Sequence, residues 1–234
     1  MPAGWPVLDV LPGIRARIVR AMPPLDPALD LVVERHWQAA CARHSLFNGR
    51  VFCADRYDAS GLDGHWTEYR RVVAQMADPA LRAVLGVQSL AVCGMLCCPD
   101  GIVVGRRETG SLYQPGLWQF PPAGSVDGGA ASNGGADIRA ALLTELQEEL
   151  GLGVDAVSAI LPLCLVEHPT GVLDLGMQVT TPLSGGAVLA AHKAGGNGEY
   201  GELAVVPAPE LEAWVAARGG AAAPTLHALL QRVW

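Results

Sequence analysis

The chain is short of charge. Only 17% of its 234 residues are Asp, Glu, Lys or Arg, and the formal net charge is -7. That balance excludes a general nucleic-acid binder, whose affinity rests on neutralising backbone phosphates with Lys and Arg. It does not exclude a small phosphorylated substrate bridged to the protein by metal ions. No uninterrupted apolar stretch approaches the roughly 18 residues of a membrane span, so no membrane partner is expected. Residues 1–11 contain no basic residue, unlike a secretory leader, and a cytoplasmic location is expected. Six cysteines occur, none spaced as CxxC. Cys93 and Cys97 lie inside the apolar run Leu90–Cys98, so thiols buried as small hydrophobes fit better than a disulfide framework or a zinc site. Internal repeats are also missing.

Apolar material is plentiful, at 50% of residues, enough for a sizeable core. The length suits one large domain or a core domain with an extension. A helical pattern runs through Leu29, Val32, Val33, His36, Trp37 and Ala40. Asn48-Gly49 marks a turn before a strand at residues 50–54. Residues 60–64 read as a loop and residues 67–76 as a second helix. From Gln88 the texture changes: Leu90–Cys98 and residues 102–104 flank Pro99-Asp100-Gly101 as in a hairpin. Residues 110–135 are rich in Gly and Pro, with one interruption at 117–120. A helix is expected over residues 137–150, stopped by Gly151. Strands are expected at 160–166, 172–181 and 202–206, and closing helices at 209–217 and 225–233. This mixed order, without regular βαβ alternation, predicts an α+β fold or a three-layer α/β/α sandwich. The division expected is an N-terminal α/β extension over residues 1–86 and a main domain over 87–234.

The helix at 137–150 carries the chemistry. Glu145, Glu148 and Glu149 stand at i, i+3 and i+4, which places three carboxylates on one face. Ile138, Leu142, Leu146 and Leu150 form the adjoining apolar face. Three uncompensated carboxylates repel one another, and they lie near the helix C-terminus, where the macrodipole favours cations. A hard divalent cation, Mg²⁺ or Mn²⁺, would relieve both effects. A solvated acidic face is the other reading of the helix alone.

The segment before the helix, Trp118-Gln119-Phe120-Pro121-Pro122-Ala123-Gly124-Ser125-Val126-Asp127, is a short apolar strand entering a tight turn. With Thr144-Glu145-Leu146-Gln147-Glu148-Glu149-Leu150-Gly151-Leu152 it resembles the Nudix box, a glycine loop followed by an R-E-apolar-x-E-E-x-G-apolar helix. Every defining helical position matches except the first. Val103-Val104-Gly105-Arg106-Arg107 resembles the hairpin that ends in arginine in that family, and Trp118 its upstream tryptophan. The resemblance covers roughly residues 88–217. It implies a Nudix-type α/β/α sandwich with a mixed central sheet and a metal-dependent hydrolase of phosphoanhydride bonds.

By position, the resemblance implies Glu148 and Glu149 as metal ligands and Glu145 as a third ligand or water-orienting carboxylate. It implies Gly124 as close backbone to the metal and Asp127 near the place of a loop glutamate. Glu202, or else Glu199, is the candidate general base. Arg106, Arg107, Trp118 and Asp127 are candidate substrate contacts, with Phe120 and Tyr113 as further aromatics that could stack on a base. The Pro122-Ala123-Gly124 loop resembles the variant of ADP-ribose and nucleotide-sugar diphosphatases. The implied substrate is therefore a nucleotide sugar or ADP-ribose, cut to a nucleoside monophosphate and a sugar phosphate. A nucleoside triphosphate or CoA pyrophosphatase and a non-catalytic nucleotide-binding module are the alternatives.

Two departures stand out. Thr144 replaces the box arginine and supplies no charge; Arg106, Arg107 or Arg139 would have to reach the glutamates instead. Residues 128–135 lengthen the loop, so the usual glycine-to-glutamate spacing, counted from Gly124, lands on Ala130. The N-terminal extension is expected to form a lid, a dimer contact or a packed α/β layer, with a homodimer as the expected assembly.

Overall fold

The computed structural model describes residues 5–233. The first four residues of the segment read above as lacking a leader, and the last residue of the main domain, lie outside that range. Strand β1 (Val7–Asp9) and β2 (Arg15–Ile18) open the chain. Helix α1 (Pro27–Cys41) follows: Pro27 suits a first-turn position, and the Asp26 carboxylate accepts from the Ala28 N–H at 2.9 Å. Its buried stripe is Val33, Trp37 and Ala40. Then come β3 (Arg50–Asp58), β4 (Gly61–Glu68), α2 (Tyr69–Ala77) and the single turn α3 (Arg82–Leu85).

The main segment contains β5 (Leu90–Cys98), β6 (Gly101–Arg107), β7 (Trp118–Gln119), β8 (Ala123–Ser125), β9 (Ala131–Ser132) and β10 (Gly135–Ala136). Helix α4 (Ile138–Leu150), β11 (Ala159–Glu167), β12 (Leu173–Thr180), α5 (Gly185–Gly195), β13 (Tyr200–Val206), α6 (Leu211–Ala216) and α7 (Pro224–Val233) complete it.

The central sheet runs β1-β11-β12-β5-β6-β13, with β8 on β5 and β7 on β6. Only the β12–β5 pair is parallel, so the sheet is mixed. Alternation along β5 sends Val92 and Leu96 into one core, with Leu142, Leu146 and Leu150 of α4 and Val188 of α5. Cys93 and Met95 enter a second core on the opposite face, with Leu211 of α6 and Leu226 and Leu229 of α7. Helices cover both faces, and the expected α/β/α sandwich with a mixed central sheet is what forms.

A second sheet, β3-β4-β2-β10-β9, packs against the first core through Ile14, Phe52, Leu62 and Ala136. Strand pairing crosses the 86/87 boundary in both directions. Strand β1 joins the central sheet on β11, and β10, from the lengthened loop, joins the N-terminal sheet on β2.

Three local expectations are corrected. Only Ser60 of residues 60–64 lies in a turn: from Gly61 on, β4 pairs along its length with β3, and the polar reading missed a strand whose Leu62, Asp63, Gly64 and His65 are all buried. The Gly-Pro stretch at 110–135 holds four short strands instead of one interruption. Helix α5 was unforeseen, because Gly185-Gly186 reads as a breaker; Ser184 caps it by accepting from the Ala187 N–H. All six cysteines are free, three buried and three half-buried.

Candidate active site

Strands β5 and β6 pair only near their hairpin, at Cys97–Ile102 and Cys98–Gly101, and then separate. Beyond that point β8 takes the edge of β5, through Ala91, Val92 and Cys93, and β7 takes the edge of β6, through Gly105 and Arg106. A cavity of about 250 Å³ is lined by residues of these strands together with α2 and α4. Glu145, Glu199, Arg107, Ala123 and Gly124 form its charged and backbone-rich part.

Helix α4 places the glutamates. Asp137 caps it, accepting from the Ala140 N–H at 2.9 Å, and Gly151 ends it in the left-handed region at φ 67°. Its apolar face, Leu142, Leu146 and Leu150, is almost fully buried. Each such side chain contributes roughly 1.5–3 kcal/mol by leaving water. This fixes the rotation of the helix and points Glu145 and Glu149 at β8. Glu149 is fully buried, and its Oε2 accepts from the Ala123 N–H at 2.9 Å. The Glu145 carboxylate lies directly over the Gly124 Cα, where any Cβ would overlap it. A larger residue at 124 would displace the Glu145 carboxylate from this position.

The electrostatics of these groups are unusual. Burial, reinforced by Glu199, Glu148 and Asp127, pushes the Glu145 carboxyl up to about 8, with Arg107 opposing. Burial and the charges of Glu199 and Glu145 raise Glu149 well above the carboxylate range, against the Ala123 N–H and Arg107. Arg107 is 8% exposed; its Nη2 lies 2.5 Å from Glu199 Oε1, and its Nε is buried without a partner. Of the three arginines weighed against the loss at Thr144, Arg107 is the one whose charge Glu145 and Glu149 feel. Arg106 and Arg139 are exposed. Thr144 is exposed as well and only donates back to the Ala140 carbonyl at 3.1 Å.

The remaining expectations divide. Glu148 sits on the exposed edge of α4 beside Glu145, outside the cavity lining. Asp127 is exposed, and its Oδ1 accepts from the Gly129 N–H at 2.8 Å as the cap of a one-turn 3₁₀ segment. Glu202, Arg106 and Trp118 lie outside the cavity as well. Glu202 is exposed on β13 opposite Arg106, beyond an irregularity between Tyr200 and Glu202, whereas Glu199 lines the cavity. Arg106 alternates to the outside of β6 and donates to the Gly116 carbonyl at 3.1 Å. Trp118 is buried edge-on to Trp214, ring centroids 4.9 Å apart, in the core under α6 and α7. Phe120 is likewise fully buried core.

Of the other part of the cavity, sequence reasoning singled out Tyr113 as a possible base-stacking aromatic and passed over Asp174 and Gln114. Tyr69, Val72 and Met76 of α2 form one wall, so the N-terminal segment contributes to the pocket itself. Asp174, Tyr113 and Gln114 lie on the lining too. Asp174 Oδ2 accepts from the Thr225 hydroxyl at 2.7 Å and the Tyr113 hydroxyl at 3.2 Å. Burial raises its carboxyl, while the two hydroxyls and Arg107 oppose the shift. A signal existed: Asp174 is the only charged residue of β12, and a buried acid in an apolar strand needs partners.

As placed, no group of three or more His, Cys, Asp or Glu side chains among the described residues is arranged around a metal position. The residues nevertheless fit a divalent cation. Glu149 Oε1 is buried without a partner, and the charge of Glu199 disfavours ionisation of both Glu145 and Glu149. Hard carboxylate oxygens are the donors such an ion prefers.

No protein-family profile matches the chain, and no curated protein matches it. Among solved structures it is similar to DR0079 from Deinococcus radiodurans, at 15% identity and a TM-score of 0.47, covering 62% of this chain and 83% of that one. It is also similar to the NUDIX domain of Shewanella oneidensis NrtR, solved with ADP ribose, at 16% identity and 0.42, covering 62% and 85%. A NUDIX-family hydrolase from Clostridium perfringens is similar at 13% identity and 0.39, covering 62% and 95%. Likeness of this extent fixes neither an activity nor a substrate.

Proposed function

We propose that this chain is a Nudix-type hydrolase that cuts the phosphoanhydride bond of a nucleoside diphosphate linked to a second group, with Mg²⁺ or Mn²⁺ as cofactor. The observation that carries the proposal is the meeting of Glu145, Glu199 and Arg107 with the close backbone of Gly124 in one cavity, with Glu149 buried directly behind its Ala123 lining. Carboxylates packed this closely without enough positive charge cost stability, and a cation-dependent reaction gives that cost a reason.

A bound divalent cation would offset charge on the phosphoryl oxygens and acidify the attacking water. The chain's own groups perform the rest. The Ala123 N–H holds one oxygen of Glu149 and leaves the other free to ligate. Glu145, pressed against Gly124, would be a second ligand, and Glu148 would complete the acidic edge from solvent. Glu199 stands ready to take the proton of the attacking water, and its ion pair with Arg107 fixes where its carboxylate points. Arg107 also supplies positive charge for the phosphoryl oxygens. The nucleotide-sugar or ADP-ribose reading rests on the Pro122-Ala123-Gly124 loop and the closed pocket wall from α2.

One observation favours the second reading, a nucleotide-binding module: Thr144 leaves the glutamates with a single buried arginine. Purified protein incubated with Mg²⁺ or Mn²⁺ and a panel of nucleotide sugars, ADP-ribose and nucleoside triphosphates separates the readings by released monophosphate or pyrophosphate. Metal-dependent release of monophosphate is expected. Tight binding without turnover for every substrate sinks the hydrolase and leaves the binding module.

A further inference from the structure

The cavity has chemistry that phosphate hydrolysis does not use. Asp174 is 5% exposed, and both of its hydrogen bonds, from Thr225 and Tyr113, fall on Oδ2. No hydrogen bond from the described residues reaches Oδ1, although the residue lines the cavity. Beside it in the same lining is Gln114, whose Nε2 is buried with no well-formed hydrogen bond, the Tyr113 hydroxyl being its one side-chain neighbour in reach. Gln114 is also the only described non-glycine residue with positive φ, 48°. A strained backbone at a pocket, carrying a buried amide without a well-formed partner, is the kind of feature held for a ligand. The surrounding wall, Val72, Met76, Val172 and Tyr69, is apolar and aromatic, which suits a flat ring better than a polyhydroxylated sugar.

We propose that Asp174 Oδ1 and Gln114 Nε2 form an acceptor–donor pair that reads the edge of an aminated nucleobase. The exocyclic amine donates to Asp174, and the adjacent ring nitrogen accepts from Gln114. Adenine and cytosine present this amine beside an acceptor nitrogen. Hypoxanthine and uracil present the inverse, a carbonyl beside a ring N–H. With the inverse edge, carboxylate oxygen meets carbonyl oxygen and two N–H groups face each other, so both buried groups lose their partners. Thr225 and Tyr113 act through Asp174, occupying one oxygen so that the other is left for the ligand.

The proposal rests on the cavity being the nucleotide site, and its test is kept apart from hydrolysis. Nucleoside monophosphates contain no phosphoanhydride bond, so their binding is read without chemistry. Calorimetric titration of the full chain with AMP, IMP, CMP and UMP is expected to show AMP over IMP, or CMP over UMP, by roughly tenfold or more. Which of the two pairs binds more tightly reports ring size. Asp174→Asn, whose amide can donate to a carbonyl, is expected to bring that ratio toward one or reverse it. Ratios near one in the wild-type protein, a preference for IMP or UMP, or no binding of any probe would each overturn the proposal. So would an unchanged preference in a folded Asp174→Asn. If that variant does not fold, the wild-type ratios decide alone. Amine preference without turnover of any substrate would defeat only the hydrolase reading; turnover without amine preference would defeat only this one.

Discussion

Glu149 has one oxygen tied to the Ala123 N–H and one with no partner, and the hydrolase reading gives the second oxygen its task. Glu149→Gln keeps the shape and removes the charge. Metal-dependent turnover is expected to fall on the order of 100-fold, the scale on which a preorganised electrostatic group acts, while the melting temperature holds or rises. Glu199→Gln is expected to lower kcat in the same assay, whereas Glu202→Gln, altering an exposed side chain off the cavity, should stay within about twofold of wild type. A loss confined to Glu202→Gln would place the general base at Glu202 instead.

The Glu145 carboxyl, pushed up to about 8 from an ordinary 4.5, makes a prediction about pH. Between those values the folded chain keeps a proton that the unfolded chain has lost, so stability falls as pH rises through the window and levels off above it. Thermal melts of metal-free protein from pH 5 to pH 8 are expected to show this decline. The slope should shrink in Glu145→Gln and on adding Mg²⁺, and an unaltered slope in both would show that Glu145 is not its source.

At the scale of elements, α4 was legible because its signals are local: Asp137 before it, Gly151 after it, and leucines every fourth residue between. The hairpin of β5 and β6 was legible for the same reason. Strand β4 was not, because Gly61, Asp63 and Gly64 give a polar, turn-rich composition. What makes it a strand is the neighbour on each side, β3 and β2, and Gly64 lies so close to the Cys53 carbonyl that a larger residue would be excluded. Helix α5 hid behind two glycines.

The candidate site shows the same division. The glutamates were visible as a spacing, but Arg107 over Arg106, Glu199 over Glu202, and the presence of Asp174 depend on strand alternation and on where β5 and β6 part. Those are tertiary facts. Two substitutions test the helix frame. Leu146→Ala is expected to cost about 2–5 kcal/mol in denaturant unfolding. Gly151→Ala, at φ 67° and close to the Ala191 carbonyl, is expected to cost about 1–2 kcal/mol.

At the scale of the molecule, the N-terminal third supplies pocket wall as well as sheet. Deleting residues 1–86 strips β1 from β11 and β2 from β10, and removes Tyr69, Val72 and Met76 from the cavity. The truncated chain is expected to aggregate through its bared strand edges, measured as loss of soluble monomer or oligomer on size exclusion. A well-behaved truncated protein would show that the two parts are separable.

The lengthened loop, which looked at first like a defect in a catalytic motif, ends in the residues that β2 grips. Its extra length acts as a suture between the acidic helix and the leading third of the chain. A descendant that trimmed the loop to ordinary size would leave β2 paired with β4 alone, and one that shed the leading third would leave β10 without its β2 partner. The two insertions are therefore expected to be inherited together or lost together.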